Sequence, residues 1–246
     1  MPLRIMRMPA AGLYRVDRWV DLYEFPPPSQ SLDDEATPIN YGPRWEDFFG
    51  QFGTLKMSAS ASAAIGRTVA RYRRRVVHGQ GLVDFIKGIL INEPDAGSPI
   101  APANRIPRTY FEDAYLLHYE HMEYVEFVDL DHPATHATLE PVVGEQLRAF
   151  GLQEIPSDVT ANRDRRVTRL LTSVLRNLCA SIPEYQNVTG LRYSGADSHD
   201  WDAYILWQPP GIDLERDVAG IRPLTPTDPD VLIAAAALGL DPPDRS

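Results

Sequence analysis

The residues best suited to chemistry lie in the stretch Tyr41 to Arg67, YGPRWEDFFGQFGTLKMSASASAAIGR. Its Gly-Pro-Arg-Trp turn sets Arg44 beside Trp45. A guanidinium fork grips phosphate or carboxylate bidentately, and an indole face stacks on a flat heterocycle or on the guanidinium itself. A short apolar strand, Gly53 to Met57, follows. A small-residue helix then begins near Ser58, with Ala61, Ala64, Ile65 and Val69 at helical spacing. A strand feeding directly into a helix brings the free N–H groups of the helix start near the arginine. Such an arrangement makes an anion or nucleotide pocket. The alternative is an exposed turn in which Arg44 and Trp45 stack for structural reasons alone.

Other reactive residue types are less well placed. His118 with His121, and His132 with His136, have spacings seen in metal-ligand pairs, but the first pair sits in a mixed context and the second adjoins Pro133. Capping and surface roles are the better reading, and no metal is expected. Cys179 is the only cysteine, so no internal disulfide and no cysteine metal cage forms. It falls on the apolar side of a helical pattern, as a packed thiol does. Asp197, His199, Asp200 and Asp202 cluster after Gly190 to Gly195. They read as a polar hairpin loop, with an acid/base site as the alternative.

The elements that must position these residues alternate between strand and helix patterns. Leu13 to Trp19, LYRVDRW, reads as a strand and carries Arg15. Phe25 to Pro38, with its triple proline, reads as a loop, and Arg71 to Arg75 as a solvated helix end rather than a basic patch. Val83 to Ile91 is apolar enough for a buried strand, and Asn92 to Pro107 reads as a long loop. YVEFVDL, residues 124–130, alternates like a strand; Leu139 to Phe150 reads as a short helix. Val167, Leu170, Leu171, Val174, Leu175 and Leu178 form a clean apolar stripe, with Arg165, Arg166, Arg169 and Arg176 off it and expected in solvent. Asp202 to Trp207 is a further strand. Residues 1–211 thus make one α+β domain, and 212–246 a tail. Asp228 as N-cap, Pro229 at the first helical position and Gly239 past the end frame a last short helix, expected to dock on the main domain or on a second subunit of a homo-oligomer.

Bulk properties exclude some functions. A formal charge of −10 argues against a nucleic-acid binder that works through phosphate contacts, while leaving room for a local cationic pocket. The basic N-terminus lacks the apolar core of a signal peptide, and no apolar run approaches membrane-spanning length, so the reducing cytoplasm is the expected compartment. There is no internal repeat, no phosphate loop and no Gly-x-Gly-x-x-Gly fingerprint.

Several blocks, in order, resemble the RES family, named for an Arg, a Glu and a Ser. LYRV at Leu13 to Val16 is similar to the family's opening strand, GPRW at Gly42 to Trp45 to its Gly-x-Arg-Trp turn, and GTLKMSASASAAIGR at Gly53 to Arg67 to its Leu-Tyr strand and Ala-rich helix. VEFVDLDHP at Val125 to Pro133 looks like its Leu-Asp-Leu-Thr block, and GLRYSG at Gly190 to Gly195 like its Gly-Ile-x-Tyr-Pro-Ser turn. The resemblance covers residues 13 to 208. It implies a compact fold similar to ADP-ribosyltransferases, with a central mixed or antiparallel sheet flanked by helices. It also implies toxins that bind and destroy NAD, usually paired with an antitoxin. Position by position, Arg44 matches the family Arg that grips the dinucleotide, Trp45 its aromatic neighbour, and Tyr193 and Ser194 fall in the block that contributes the Ser. Arg44, Tyr193 and Ser194 are then the expected catalytic set, and Arg44, Trp45, Lys56 and Arg67 the expected NAD-binding set.

The sequence also departs from the family. The strand Tyr falls on Lys56, the catalytic Glu on Arg67, and the Ser on Gly195, one place after Ser194. Cleaving the nicotinamide–ribose bond develops positive charge on the ribose, which a carboxylate stabilises and an arginine opposes. Losing one such electrostatic stabiliser typically costs ~3–4 kcal/mol of barrier. Glu46, Glu112, Glu120, Glu123 or Glu126 would have to supply the carboxylate instead. Three readings therefore stand: an NAD-consuming enzyme with a rearranged site that cleaves the nicotinamide–ribosyl bond or transfers ADP-ribose, a RES-like domain without catalysis that serves as a nucleotide sensor or protein partner, and an unrelated α+β protein in which the block matches are chance.

Overall fold

The structure is a computed structural model. It describes residues 2–18, 25, 45, 47–73, 104–120, 125–156, 165–194, 201–207, 213–241 and 243. In chain order the elements are β1 (Ile5–Arg7), β2 (Leu13–Arg18), β3 (Thr54–Ser58), α1 (Ala61–Val69), β4 (Ala114–Tyr119), β5 (Glu126–Asp129), α2 (Pro133–Ala149), α3 (Arg165–Ser181), β6 (Val188–Ser194), β7 (Asp202–Trp207), α4 (Leu214–Asp217), β8 (Val218–Pro223) and α5 (Pro229–Leu238). The strands form one sheet in the order β1-β5-β6-β7-β3-β2-β4-β8. Among the described strands only β5 and β6 pair in parallel, so the sheet is mixed and the class is α+β, as expected.

Strand alternation gives this sheet two faces. The row Tyr14, Ser58, Ala203, Tyr193 runs across β2, β3, β7 and β6 on one of them. There Leu191, Tyr193 and Ile205 share a buried cluster with Leu139 and Val143 of α2 and Val167, Leu171 and Leu175 of α3. Farther along, Tyr14, Val16 and Leu116 pack with Ala64, Ile65 and Val69 of α1 and Val231, Ala234 and Leu238 of α5. Leu13, Leu55, Met57, Leu117, Phe127 and Leu206 make the core of the opposite face, with Leu214 of α4.

Local chemistry accounts for the ends of the elements. Ser58 closes β3, so α1 starts later than its composition suggests: Ser60 is the N-cap, and its Oγ accepts from the Ala63 N–H. α2 starts well before Leu139 because the His132 ring caps it, Nδ1 accepting from the Ala134 N–H, with Pro133 at the first turn. α5 runs between the cap Asp228 and the left-handed Gly239, as expected, and packs on α1 of its own chain. The same C-terminal stretch also contributes β8 at the sheet edge, beside β4. Gly190 to Ser194, expected as a turn, lies within β6; a Cβ at Gly190 would come 2.2 Å from the Ile205 carbonyl, so glycine permits this close pairing.

One expectation is reversed outright. Arg169 is not in solvent but fully buried on α3, where Nε and Nη2 donate to the Asp47 carbonyl at 2.9 and 2.5 Å. The segment around Asp47 crosses α3 and offers that carbonyl, while Ser173 Oγ donates to the Asp47 carboxylate at 2.5 Å. Arg166 and Arg176 lie over the rings of Phe150 and Phe52. Among the described residues no helix is long and apolar enough to cross a membrane. Val83 to Ile91 and most of Asn92 to Pro107 lie outside the described residues.

Candidate functional site

β3 pairs with β7 along its whole length, and β2 with β4 likewise, but β2 and β3 share a single rung, Tyr14 opposite Ser58. Past that rung the strands part. A slot of about 230 Å³ opens between Arg15, Val16 and Asp17 on one side and Thr54 to Lys56 and Ser58 on the other, with Ala64, Arg67 and Thr68 of α1 above it.

Arg67 is held there from two directions. Its Nη2 donates to the Trp201 carbonyl at 2.6 Å and its Nη1 to the Tyr193 hydroxyl at 3.3 Å. The guanidinium carbon lies 5.5 Å from the Tyr193 ring centroid, and that ring in turn lies 4.5 Å from Trp45 at a 33° tilt. Gly66 allows the arrangement: Trp201 packs so tightly on α1 that a Cβ at this position would meet its ring at 2.1 Å. Lys56 is exposed at the slot, on the face that also carries Ser58.

Polar atoms in and beside the slot are left unmatched. Ser58 is 1% exposed, and its Oγ has no hydrogen-bond partner among the described residues; the same holds for the buried Nε of Arg67. Trp45 Nε1 shares that condition. The Asp17 carboxylate pairs with Arg15 and accepts from the Arg18 N–H at 2.9 Å. Among the described residues the slot thus combines the cations of Arg15, Lys56 and Arg67 with the carboxylate of Asp17 and the unmatched hydroxyl of Ser58, a composition suited to gripping an anion.

Of the expected site residues, Trp45, Lys56, Arg67 and Tyr193 are brought into one neighbourhood. Trp45 is only 3% exposed, so its ring stacks on Tyr193 and offers no free face to a ligand. Arg44 lies outside the described residues. Ser194 follows Tyr193 in a strand and so points to the opposite face, where Asp131 accepts from both its Oγ and its N–H at 2.8 and 2.6 Å. On that face Arg192 pairs with Asp129, Asp131 and Asp202. Burial acts to lower the Arg192 pKa, but the carboxylates of Asp202, Asp129 and Asp131 outweigh it and the net shift is upward. Asp197, His199 and Asp200 are outside the described residues, as are Glu46 and Glu123. Glu112, Glu120 and Glu126 do not line the slot; Glu120 faces His118 at 3.3 Å and Glu126 faces Arg7 at 3.9 Å.

Asp17 and Ser58 line the slot but belong to none of the expected site sets. Asp17 carried a signal: in LYRVDRW it stands two places from Arg15, so both project to the same side of a strand as a charged pair. Ser58 carried none, since a serine between strand and helix reads as a cap. Of the histidines, His132 caps α2 and His136 Nε2 lies 2.7 Å from the Leu130 carbonyl. Among the described residues no group of three or more His, Cys, Asp or Glu side chains is arranged to hold a metal ion. Cys179 is packed in the α3 core, and burial pushes its thiol up to about 12.

No protein-family profile matches the chain. No curated protein matches it either. Among solved structures it is similar to a chain in the crystal structure of the M. tuberculosis MbcT–MbcA toxin–antitoxin complex, with a TM-score of 0.44 and 13% identity over 95% of this chain and 90% of that one.

Proposed function

We propose that this chain is a RES-like protein that binds NAD, or a dinucleotide of the same chemistry, with its pyrophosphate in the slot between β2 and β3. One observation carries the reading: Ser58 Oγ and Arg67 Nε are buried there without a partner, beside the cation of Lys56. A buried polar group left unpaired costs about 1–3 kcal/mol, and a phosphate oxygen that accepts from both removes that cost. Arg67 supplies a planar fork and Lys56 a compact point charge, which together suit a pyrophosphate. The RES resemblance supplies the identity of the ligand and extends the proposal to a protein partner of the antitoxin kind.

Cleavage of the nicotinamide–ribose bond is the second reading. It is favoured by Asp17, the carboxylate that lines the slot. Arg15 already neutralises that carboxylate, and Arg67 adds a second positive charge nearby, so binding is the stronger of the two. Titration calorimetry with NAD, run beside a time course of NAD loss under stoichiometric excess of protein, tests both. A dissociation constant that rises at least about tenfold in Lys56→Ala supports the slot as the binding site. Absence of any NAD binding rejects it. NAD loss that disappears in Asp17→Asn moves the chain from binder to enzyme.

A further inference from the structure

A second cavity, of about 610 Å³, opens on the other side of the Tyr14–Ser58 rung. Tyr14, Ala59, Ser60, Ala61, Leu116 and His118 line it. Sites that enclose small ligands run from roughly 300 to 1,000 Å³. The slot, at about 230 Å³, has room for the phosphates of a dinucleotide but not for its bases, and the larger cavity falls within the range for an enclosed ligand. The two are neighbours along β2, along the link from β3 to α1, and along α1. Tyr14 lines one and Arg15 the other; Ser60 lines one and Ser58 the other; α1 spans both, with Ala61 over the larger and Arg67 over the smaller.

The larger cavity also holds a preset aromatic stack. The rings of Tyr14 and His118 lie parallel, 4.2 Å apart with 1° between their planes. Two acceptors flank the His118 ring: the Ala11 carbonyl lies 2.9 Å from Nε2 and the Glu120 carboxylate 3.3 Å from Nδ1. Gly12, at φ +80°, lies against the same ring; a Cβ there would meet His118 Nε2 at 2.7 Å. A stack already held in place loses little freedom when another ring joins it. Leu116 and the alanines supply apolar walls for the edges of such a ring.

We propose that the two cavities form one ligand track, in which the purine end of a dinucleotide lies in the larger cavity on the Tyr14–His118 stack while its phosphates reach the slot beside Ser58. This rests on the NAD reading of the slot and adds the subsite that recognises the base. The test titrates the full chain with NAD, AMP and nicotinamide mononucleotide. Tyr14→Ala is expected to raise the dissociation constants of NAD and AMP about tenfold or more, and to leave that of nicotinamide mononucleotide within about twofold. Tyr14 is half-buried, so Ala61→Trp, which fills the cavity from the helix side, is the second variant and should give the same pattern. Folded variants that bind NAD as the wild type does overturn the inference and leave the slot reading standing. A wild-type chain that binds no NAD overturns both.

Discussion

Arg67 of α1 and Tyr193 of β6 meet across 126 positions of sequence, the guanidinium donating to the phenolic oxygen at 3.3 Å. Tyr193 also rests on Trp45, so the contact ties helix, strand and the turn region into one column. Tyr193→Phe keeps the ring on Trp45 and removes only the acceptor. Stability should fall by about 1 kcal/mol in urea denaturation. NAD affinity should fall a few-fold, because Arg67 then has one anchor fewer. A variant identical to wild type in both measurements would show that this hydrogen bond holds nothing in place.

Arg67→Ala removes the fork itself. A charge-assisted contact contributes about 1.5–3 kcal/mol, so the dissociation constant for NAD should rise roughly ten- to hundredfold by calorimetry. Arg67→Lys should restore only part of the affinity, because a point charge cannot bind two oxygens in one plane. An alanine variant with unchanged affinity would take Arg67 out of the site.

Gly66→Ala sets helix propensity against packing. Alanine in a helix interior is favoured over glycine by about 1 kcal/mol. Here its methyl would sit 2.1 Å from the Trp201 ring, and overpacking typically costs about 1–3 kcal/mol. The clash should win, with a lower melting temperature. Because Trp201 supplies the carbonyl that holds Arg67, NAD affinity should drop as well. A stabilised variant would mean that Trp201 does not pack against this turn of α1.

Arg169→Met keeps most of the buried volume and removes the donors to the Asp47 carbonyl. The carbonyl would keep only the long contact from the Gly50 N–H at 3.4 Å, so the loss should cost about 2 kcal/mol, read as a lower midpoint in urea at unchanged slope. An arginine in solvent, as its helical position suggests, would give no change.

Burial pushes Cys179, Tyr110 and Tyr204 each up to about 12, from ordinary values of 9.0 for the thiol and 10.0 for the phenols. The folded chain therefore keeps protons that the unfolded chain releases first. These groups contribute full stability below about pH 9 and lose it as the pH climbs toward about 12. Melting temperatures should be flat up to about pH 9 and then decline, with a shallower decline in Cys179→Ala. Equal stability at about pH 8 and about pH 11 would contradict the burial of these side chains.

What the sequence made legible is what neighbours in the chain decide among themselves. The α3 stripe, the Asp228 and Gly239 boundaries of α5 and the strands β2, β3 and β7 follow from period and capping. Arg169 escaped because a helical pattern does not show that another segment will cross it and offer a carbonyl. Trp45 reads as a ligand surface in the sequence because its partner Tyr193 is distant along the chain. The slot escaped for the same reason: it exists where two strands cease to pair, and pairing is a property of neither strand alone.

That lone rung between β2 and β3 leaves the sheet as two plates with little backbone to fasten them. α1 does the fastening, packing on Tyr14 and Val16 of one plate and reaching Tyr193 of the other. Breathing motions of this molecule should therefore begin at the join, with amides beside Lys56 and Arg15 exchanging before those of β6 and β7. A guest wedged along the join would slow that exchange from within, acting as mortar between the plates.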